Sequence, residues 1–331
     1  MITHKSSNLL PLTGLRFFAA LFVCIAHISH SFVPENALNS WWAIELTRLS
    51  AAGMSLFFVL SGFVIHYNYS KSIQTKTTAS LYDFFIARFA RLFPLYFLFL
   101  CADIIRHKYM HYEALPYYLT LTQSWFYKPI GEHSLIYQFG NVPSVAWSVS
   151  TEWFFYICYP IICLMLLKMA KIRTKIMAMV IISVITISFV AACKLNLVFI
   201  NDFSIKLFGP LADFTSNNQD SFYRWLVYFS PYSRITEFMM GCLTAAIYMQ
   251  LGDKNNSSGF LLTLMCLVCA TATQYLIFHP PAAVASWLQE LHRCFGFAPI
   301  FSVLIFCSAR YYNVITRFLS LRFVQWGGEV S

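Results

Sequence analysis

Charged residues are scarce in this sequence. Asp, Glu, Lys and Arg make up 11% of its 331 residues, whereas hydrophobic residues make up 58% and aromatic residues 18%. A soluble domain carries about 25% charged residues, so the composition excludes an ordinary soluble globular protein. Apolar runs of about 18 or more residues recur along the chain, as is typical of transmembrane helices. The predicted fold is therefore all-α, a polytopic bundle of transmembrane helices.

A basic tail and a basic amphipathic helix are also missing, although the net charge is +9. We assign the excess positive charge to loops on the cytoplasmic side of the membrane, and we predict no nucleic-acid binding. The ten cysteines are scattered and suggest no disulfide framework. Cys266 and Cys269 have the spacing of metal ligands, but no second pair or nearby histidine accompanies them, so no metal site is predicted.

Long linkers, low-complexity runs and internal repeats are absent as well, so residues 1–331 are predicted to form a single integral membrane domain. The first span is expected to be a retained signal anchor, because no small-residue cleavage site follows it. The positive-inside rule places the N-terminus in the cytoplasm, chiefly through the loop KMAKIRTK at 168–175. The predicted spans are 12–31, 52–69, 92–106, 147–167, 176–195, 233–250, 259–278 and 294–310. The stretch 115–126 is too short to span and is expected to be interfacial or re-entrant.

Polar residues interrupt the first span, LTGLRFFAALFVCIAHISHS. Arg16 and His27 are 11 positions apart, which places them on one face of a helix, about 16 Å apart along its axis. A charge at the centre of a membrane helix costs about 2.5–3.5 kcal/mol, so such residues are expected to face the bundle interior and to act there. The face offers a cation at one depth and a titratable base at another, which predicts a reaction site within the membrane. His30, nearer the end, is expected to cap or pack.

Glu152 opens the fourth span, at a predicted depth similar to that of His27. A carboxylate beside an imidazole fixes its tautomer and stabilises its protonated form. The alternative interpretation is an acidic residue at a helix N-terminus, with Ser148 or Ser150 as the cap. Both interpretations stay open.

Two further pairs of charged residues are spaced for a shared helix face. Arg88 and Arg91 are predicted at the inner end of the third span, where paired guanidinium groups suit phosphate. The alternative is positive charge that only sets the topology, with Pro94 kinking or restarting the helix. Arg234 and Glu237, at the outer end of a later span, are interpreted as a structural pair or as substrate contacts.

Small residues mark the second span, GMSLFFVLSGFVI. Ser61 lacks the strand-turn-helix context of a nucleophile elbow, so it is not assigned as a nucleophile. Gly53 and Gly62 are expected to allow close packing of helices.

With these residues in view, the sequence resembles the membrane-bound acyltransferase-3 family, the bacterial O-acyltransferases of surface and secreted glycans. The likeness extends over nearly the whole chain, although Ser55 stands where an acid is common. It lies in five ordered segments: LTGLRFFAALFVCIAH, GMSLFFVLSGFVI, ARFARLFPLY, NVPSVAWSVSTEWFFYICYP and EFMMGCLTAA. The family usually continues beyond the final glycines with one or two more helices. We therefore expect a truncated chain with about eight or nine spans of about ten.

The resemblance implies transfer of an acyl group, most often acetyl, from acyl-CoA to a hydroxyl of a glycan such as O-antigen or exopolysaccharide. It implies a multi-pass protein of the bacterial inner membrane, with acyl-CoA as co-substrate and no bound cofactor. His27 would be the general base or a transient acyl carrier, and Glu152 would orient it. Arg88 and Arg91 would bind coenzyme A, and Arg16 would bind its pantetheine or thioester end or stabilise developing negative charge.

The substrate-binding residues implied by the resemblance are Asn141, Trp147, Ser148, Arg234 and Glu237. Two alternatives to the active enzyme stay open. One is a transporter or flippase of glycan intermediates, and the other is an inactive, truncated member of the family.

Overall fold

The computed structural model describes residues 9–32, 40–75, 77–106, 111–138, 146–215, 219–252, 259–279 and 294–330. Within these ranges the regular structure is almost entirely helical, which confirms the predicted all-α class. The helices are, in chain order, α1 (Leu10–Phe32), α2 (Trp41–Gln74), α3 (Thr78–Arg106), α4 (Leu115–Leu119), α5 (Trp147–Leu167), α6 (Ile172–Leu195), α7 (Leu197–Phe208), α8 (Pro231–Leu251), α9 (Phe260–Phe278), α10 (Ala298–Arg310), α11 (Val314–Leu319) and α12 (Arg322–Val330).

Short elements connect these helices. The strands Pro129–Ile130 (β1) and His133–Ser134 (β2) form a two-stranded antiparallel hairpin, in which Pro129 pairs with Ser134. A helical turn, Phe222–Arg224, leads directly into a π-helical segment, Trp225–Phe229. The 3₁₀ turns are Tyr112–Ala114, Leu135–Tyr137 and Pro210–Ala212.

Among the described residues, five helices are long and apolar enough to cross a membrane, namely α1, α2, α3, α5 and α6. The predicted span 147–167 coincides with α5. The predicted spans 259–278 and 294–310 fall on the apolar helices α9 and α10, and 233–250 falls on α8. These positions agree with the predicted polytopic bundle.

The start of the third predicted span is wrong. The span was placed at 92–106, but α3 begins at Thr78 and continues through Pro94. The stretch before residue 92 resembles a loop because it contains Asp83, Arg88 and Arg91. In the structure these residues lie on a helix whose aromatic side chains pack against α5, and this packing outweighs the one backbone hydrogen bond that Pro94 cannot make.

The chain divides into two compact units. Unit 1 comprises Met1–Asn68, Met169–Ser183 and Glu237–Ser331, and unit 2 comprises Tyr69–Lys168 and Val184–Thr236.

Glycines set the helix packing in unit 1. Gly62 of α2 faces the carbonyl oxygen of Phe238 on α8, and Gly241 of α8 faces the carbonyl oxygen of Val59 on α2. A Cβ atom at either glycine would collide with the opposite backbone. Gly53 lies in the same way against α1, so the prediction that Gly53 and Gly62 allow close helix packing is confirmed.

The last described residues of unit 1 pack on α1. Gly327 lies against the ring of Phe17, and Gly328 lies against the backbone of Thr13. Gln325 Nε2 donates a hydrogen bond to the carbonyl oxygen of Leu10 over 2.8 Å. Residues 314–330 form α11 and α12 and lie on the helix that carries Arg16 and His27.

In unit 2, Ser150 anchors a loop to α5. Its Oγ donates to the carbonyl oxygen of Leu121 over 2.8 Å and accepts from Ser124 Oγ over 2.9 Å. The residue at the N-cap position of α5 is Ala146, which makes no side-chain capping bond. The interpretation of Ser148 or Ser150 as the N-cap is therefore wrong, since Ser150 is a buried anchor one turn into the helix.

The stretch 115–126 folds as α4 followed by turns that pack within unit 2. Tyr96 Oη, from α3, donates to the carbonyl oxygen of Tyr118 over 2.9 Å. Tyr118 Oη in turn donates to the carbonyl oxygen of Leu135 over 2.9 Å. Two buried tyrosines thus attach this short segment to α3 and to the residues that follow the hairpin.

Candidate functional site

Arg88 lies between two tyrosine rings in unit 2. Its Nη2 donates a hydrogen bond to Tyr69 Oη over 2.6 Å. The centre of its guanidinium group is 4.8 Å from the ring centroid of Tyr69 and 5.9 Å from that of Tyr156. Both distances allow a cation–π attraction, which is stronger where water is excluded. The end of α2, the middle of α3 and α5 thus meet at this arginine.

Tyr156 joins Arg88 to Glu152. Tyr156 is 1% exposed, and its Oη donates a hydrogen bond to Glu152 Oε1 one turn earlier on α5. Arg91 also interacts electrostatically with Tyr156, as Arg88 does. We name these five residues, Tyr69, Arg88, Arg91, Glu152 and Tyr156, the arginine–carboxylate cluster.

Aromatic side chains surround this cluster. The Phe84 ring packs at 5.4 Å from that of Tyr159, and the Phe89 ring at 5.9 Å from that of Trp153. The earlier residue of α3, Phe84, packs on the later residue of α5, Tyr159, and the reverse holds for Phe89 and Trp153, so the two helices are antiparallel. Within this aromatic packing Tyr156 is buried, Tyr69, Arg88 and Glu152 are half-buried, and Arg91 is exposed.

The position of the arginine pair along its helix differs from the prediction. Arg88 and Arg91 were placed at the inner end of a span, apart from Glu152. In the structure they lie about 15 and about 20 Å along α3 from Thr78. The helix α3 begins at residue 78 and not at 92, which is 14 residues earlier than predicted, so Arg88 lies within it. Arg88 and Glu152 have Tyr156 as a common neighbour. Arg88 Nε is buried and has no hydrogen-bond partner among the described residues.

Arg234 is a buried cation in unit 2. The residue is 0% exposed, and its Nε donates to the carbonyl oxygen of Tyr228 over 2.9 Å. Its guanidinium centre is 4.7 Å from the Tyr228 ring and 5.8 Å from the Trp147 ring. Tyr228 belongs to the π-helical segment Trp225–Phe229, a type of structure that is frequent at functional sites.

In unit 1, α1 carries Arg16 and His27. The helix is continuous over both residues, which confirms that they share one face. Its buried stripe is formed by other positions, including Leu15, Ala19 and Ala26. Arg16, half-buried, and His27, exposed, each follow a residue of this stripe and lie beside it.

The remaining predicted residues are distributed as follows. Glu237 is 0% exposed within unit 1. Trp147 is buried, and Ser148 is half-buried in the first turn of α5. Asn141 lies outside the described residues. The predicted pairing of His27 with Glu152 stays a prediction, as do the roles in binding.

The places of Tyr69 and Tyr156 in the cluster were not predicted from the sequence. A signal existed for Tyr156, because it follows Glu152 by four positions on a predicted helix. No local signal exists for Tyr69, since 19 positions separate it from Arg88. Among the described residues, no group of three or more His, Cys, Asp and Glu side chains is arranged to hold a metal ion.

Replacing Tyr156 by phenylalanine tests whether the cluster positions Glu152. The variant keeps the ring beside Arg88 and removes the Oη that donates to Glu152. We expect activity to fall about tenfold, because one buried hydrogen bond to a charged group contributes about 1.5–3 kcal/mol. Turnover of the Y156F protein would be compared with that of Tyr159→Phe, which alters the neighbouring tyrosine on the same helix. Equal activity of Y156F and the wild type would contradict the positioning role.

Comparison with known proteins gives one family over nearly the whole chain. The acyltransferase-3 family, described as an acyltransferase domain, matches residues 11–331. Acyltransferase MdmB of Streptomyces mycarofaciens is 33% identical over 159 residues, which cover 45% of this chain and 38% of that protein. Nodulation protein 10 of Rhizobium leguminosarum bv. viciae is 27% identical over 175 residues, covering 48% of this chain and 45% of that protein.

A third relative has a more specific name. Peptidoglycan O-acetyltransferase OatA of Listeria monocytogenes is 27% identical over 183 residues, which cover 51% of this chain and 26% of that protein. The matched stretches therefore span less than half the length of each of these three curated relatives. No solved structure gives a significant match.

Proposed function

The chain belongs to the acyltransferase-3 family, and from this premise we propose that it is a membrane O-acyltransferase. The group transferred is acetyl, the donor is acetyl-CoA, and the acceptor is a hydroxyl of a cell-surface or secreted glycan. The observation that carries the proposal is the arginine–carboxylate cluster, in which a hydrogen-bonded carboxylate and a stacked arginine lie inside membrane-spanning helices. Such groups are rare in membrane segments and mark functional sites. The name of MdmB supports acyl transfer, and the name of OatA, a peptidoglycan O-acetyltransferase, supports the choice of an acetyl group and of a glycan acceptor.

His27 is proposed as the general base. It takes the proton of the acceptor hydroxyl as the oxygen attacks the thioester carbonyl of acetyl-CoA. The C–O bond forms, the C–S bond breaks, and the proton passes from His27 to the leaving thiolate of coenzyme A. Arg16, on the same face of α1, stabilises the negative charge that develops on the carbonyl oxygen.

Arg88 and Arg91 are proposed to bind the coenzyme A side of the donor. Two features support this role: the rigid stacking of Arg88 between tyrosine rings, and its buried Nε, which has no partner among the described residues. In the proposed orientation, with the N-terminus in the cytoplasm, α3 rises from the cytoplasmic side of the inner membrane. Arg88, about 15 Å along the helix, is then placed to meet the thioester end of the donor.

Arg88→Lys is expected to raise the KM for acetyl-CoA about tenfold with a smaller change in kcat. Lysine keeps the charge but lacks the planar fork that stacks on the rings and donates to Tyr69. The matched control is Arg106→Lys, an exposed arginine in the last turn of the same helix. Steady-state kinetics on reconstituted protein would measure both constants. A KM that stays at the wild-type value in R88K would argue against donor binding by this arginine.

Mass spectrometry of surface glycans tests the function as a whole. Glycans from cells that express the gene should carry acetyl esters that are removed by mild alkali and are absent from cells without the gene. Identical glycans in the two cell lines would oppose the proposal, and altered amounts of glycan with no change in acetylation would favour a transporter.

A further inference from the structure

Unit 1 buries a lysine that has no acidic partner in the described part of the chain. Lys175 lies in the first turn of α6 and is 7% exposed. Its ammonium group makes one side-chain hydrogen bond among the described residues, to Gln250 Oε1 over 2.7 Å. An ammonium group has three N–H donors, so two of them lack a protein acceptor in the described ranges.

The surroundings of Lys175 disfavour a cation. His66 of α2 is 3% exposed and lies within electrostatic range of Lys175. The N-terminus of α6 carries the positive end of the helix dipole, which disfavours a cation in the first turn. Lys171 and Arg173 are exposed cations on the same end of the helix. A buried ammonium group is retained at such a place when an anion compensates it.

Gln250 is the hydrogen-bond partner of the Lys175 ammonium group and is itself exposed to solvent. It lies at the end of α8, and its Nε2 donates to the carbonyl oxygen of Ala170 over 3.1 Å. Its amide therefore bridges the segment before α6 to Lys175. An anion that replaces the Gln250 oxygen would meet the ammonium group directly.

We propose that Lys175, His66 and Gln250, the Lys175 site, bind a phosphate group. The site lies where α6 begins and α8 ends, and in the proposed orientation this is the cytoplasmic end of unit 1. A phosphate oxygen accepts from the unused donors of Lys175, and the helix N-terminus favours its charge. The phosphate belongs either to coenzyme A or to the headgroup of an anionic phospholipid, and the experiment separates these two sources.

The test uses the purified chain and two matched variants. Lys175→Gln removes the buried charge, and Lys171→Gln removes an exposed charge on the same helix end. Thermal unfolding would be recorded with pyrophosphate, with coenzyme A, and with chloride at equal ionic strength. Native mass spectrometry would count adducts from vesicles of phosphatidylglycerol or of phosphatidylcholine.

Two results support the site. A soluble source predicts that pyrophosphate and coenzyme A raise the Tm of the wild type and of K171Q, with an affinity lowered at least about tenfold in K175Q. A lipid source predicts phosphatidylglycerol adducts that K175Q loses and K171Q keeps to within about twofold. In either case the effect depends on the buried lysine and not on net charge.

One result would rule out the site. If neither probe affects the wild type more than chloride or phosphatidylcholine does, the site does not exist, whatever the stability of K175Q. Lys175→Met, which also removes the charge and keeps a long unbranched side chain, replaces K175Q if that variant does not fold. Asp253, outside the described residues, is the acidic residue closest in sequence to Gln250. An equal loss of Tm in K175Q and Asp253→Asn without probe binding would mean a structural ion pair.

The coenzyme A outcome rests on the proposed function, and the two fail separately. Probe binding with unmodified glycans would leave the Lys175 site standing and overturn the transferase. Normal glycan acetylation by K175Q, with no loss of probe binding, would leave the transferase standing and overturn the site.

Discussion

His27→Ala is expected to lower glycan acetylation at least about 100-fold, because a positioned general base contributes about 10²–10⁴ in rate. Alanine has no group that takes the proton of the acceptor hydroxyl. The protein should remain in the membrane and keep its fold, since the His27 side chain is exposed and its removal leaves no internal cavity. A transient acyl-histidine mechanism predicts the same loss, so the result tests the need for this imidazole in either mechanism.

The matched control for H27A is His30→Ala, three positions further along the same helix. Acetyl esters on isolated glycans would be quantified by mass spectrometry in cells with equal amounts of each protein in the membrane. The control should retain near wild-type acetylation. If H27A acetylates glycans as well as H30A does, His27 is not the base.

Gly62→Leu is expected to cost about 3 kcal/mol or more of folding free energy. A Cβ atom at residue 62 collides with the carbonyl oxygen of Phe238, so α2 and α8 must separate to admit the side chain. Overpacking of a tight contact typically costs about 1–3 kcal/mol, and here the obstacle is backbone that cannot change rotamer. The separation also removes the mutual contact at Gly241. We expect reduced yield and a lower Tm.

Thermal unfolding in detergent measures this effect. The control is Val64→Leu, which adds volume at a half-buried position two residues further along α2. V64L should unfold near the wild-type Tm, and G62L well below it. Equal Tm values for the two variants would show that the close approach of α2 and α8 is not important for stability.

Sequence patterns predicted the helices whose apolar residues extend over most of their length. The bounds of α5 match the predicted span 147–167, and the shared face of Arg16 and His27 follows from helical spacing alone. The start of α3 could not be predicted in this way. The charged residues in its first turns are typical of a loop. The hydrogen-bond partner that accommodates Arg88 in the helix, Tyr69, lies on another helix.

The candidate site shows the same limit. Residue type and position singled out Arg88 and Glu152 as candidate site residues. Their shared neighbour, Tyr156, is reached by Arg88 only through the packing of α3 on α5. Ser150 was interpreted as a cap because serine is common there, whereas its partners are a backbone carbonyl and a serine more than 25 positions earlier. Non-local contacts of this kind depend on packing, which local patterns do not encode.

The most direct test of the central claim is transfer of a labelled acetyl group by the reconstituted protein. Purified chain in liposomes would receive acetyl-CoA with an isotopic label in the acetyl group, together with a glycan fraction from cells that lack the gene. The account predicts alkali-labile label on the glycan with wild-type protein, and none with H27A or with empty liposomes. Two results would contradict the account. One is a folded protein that binds acetyl-CoA but leaves the glycan unlabelled, and the other is equal labelling of the glycan by H27A and the wild type.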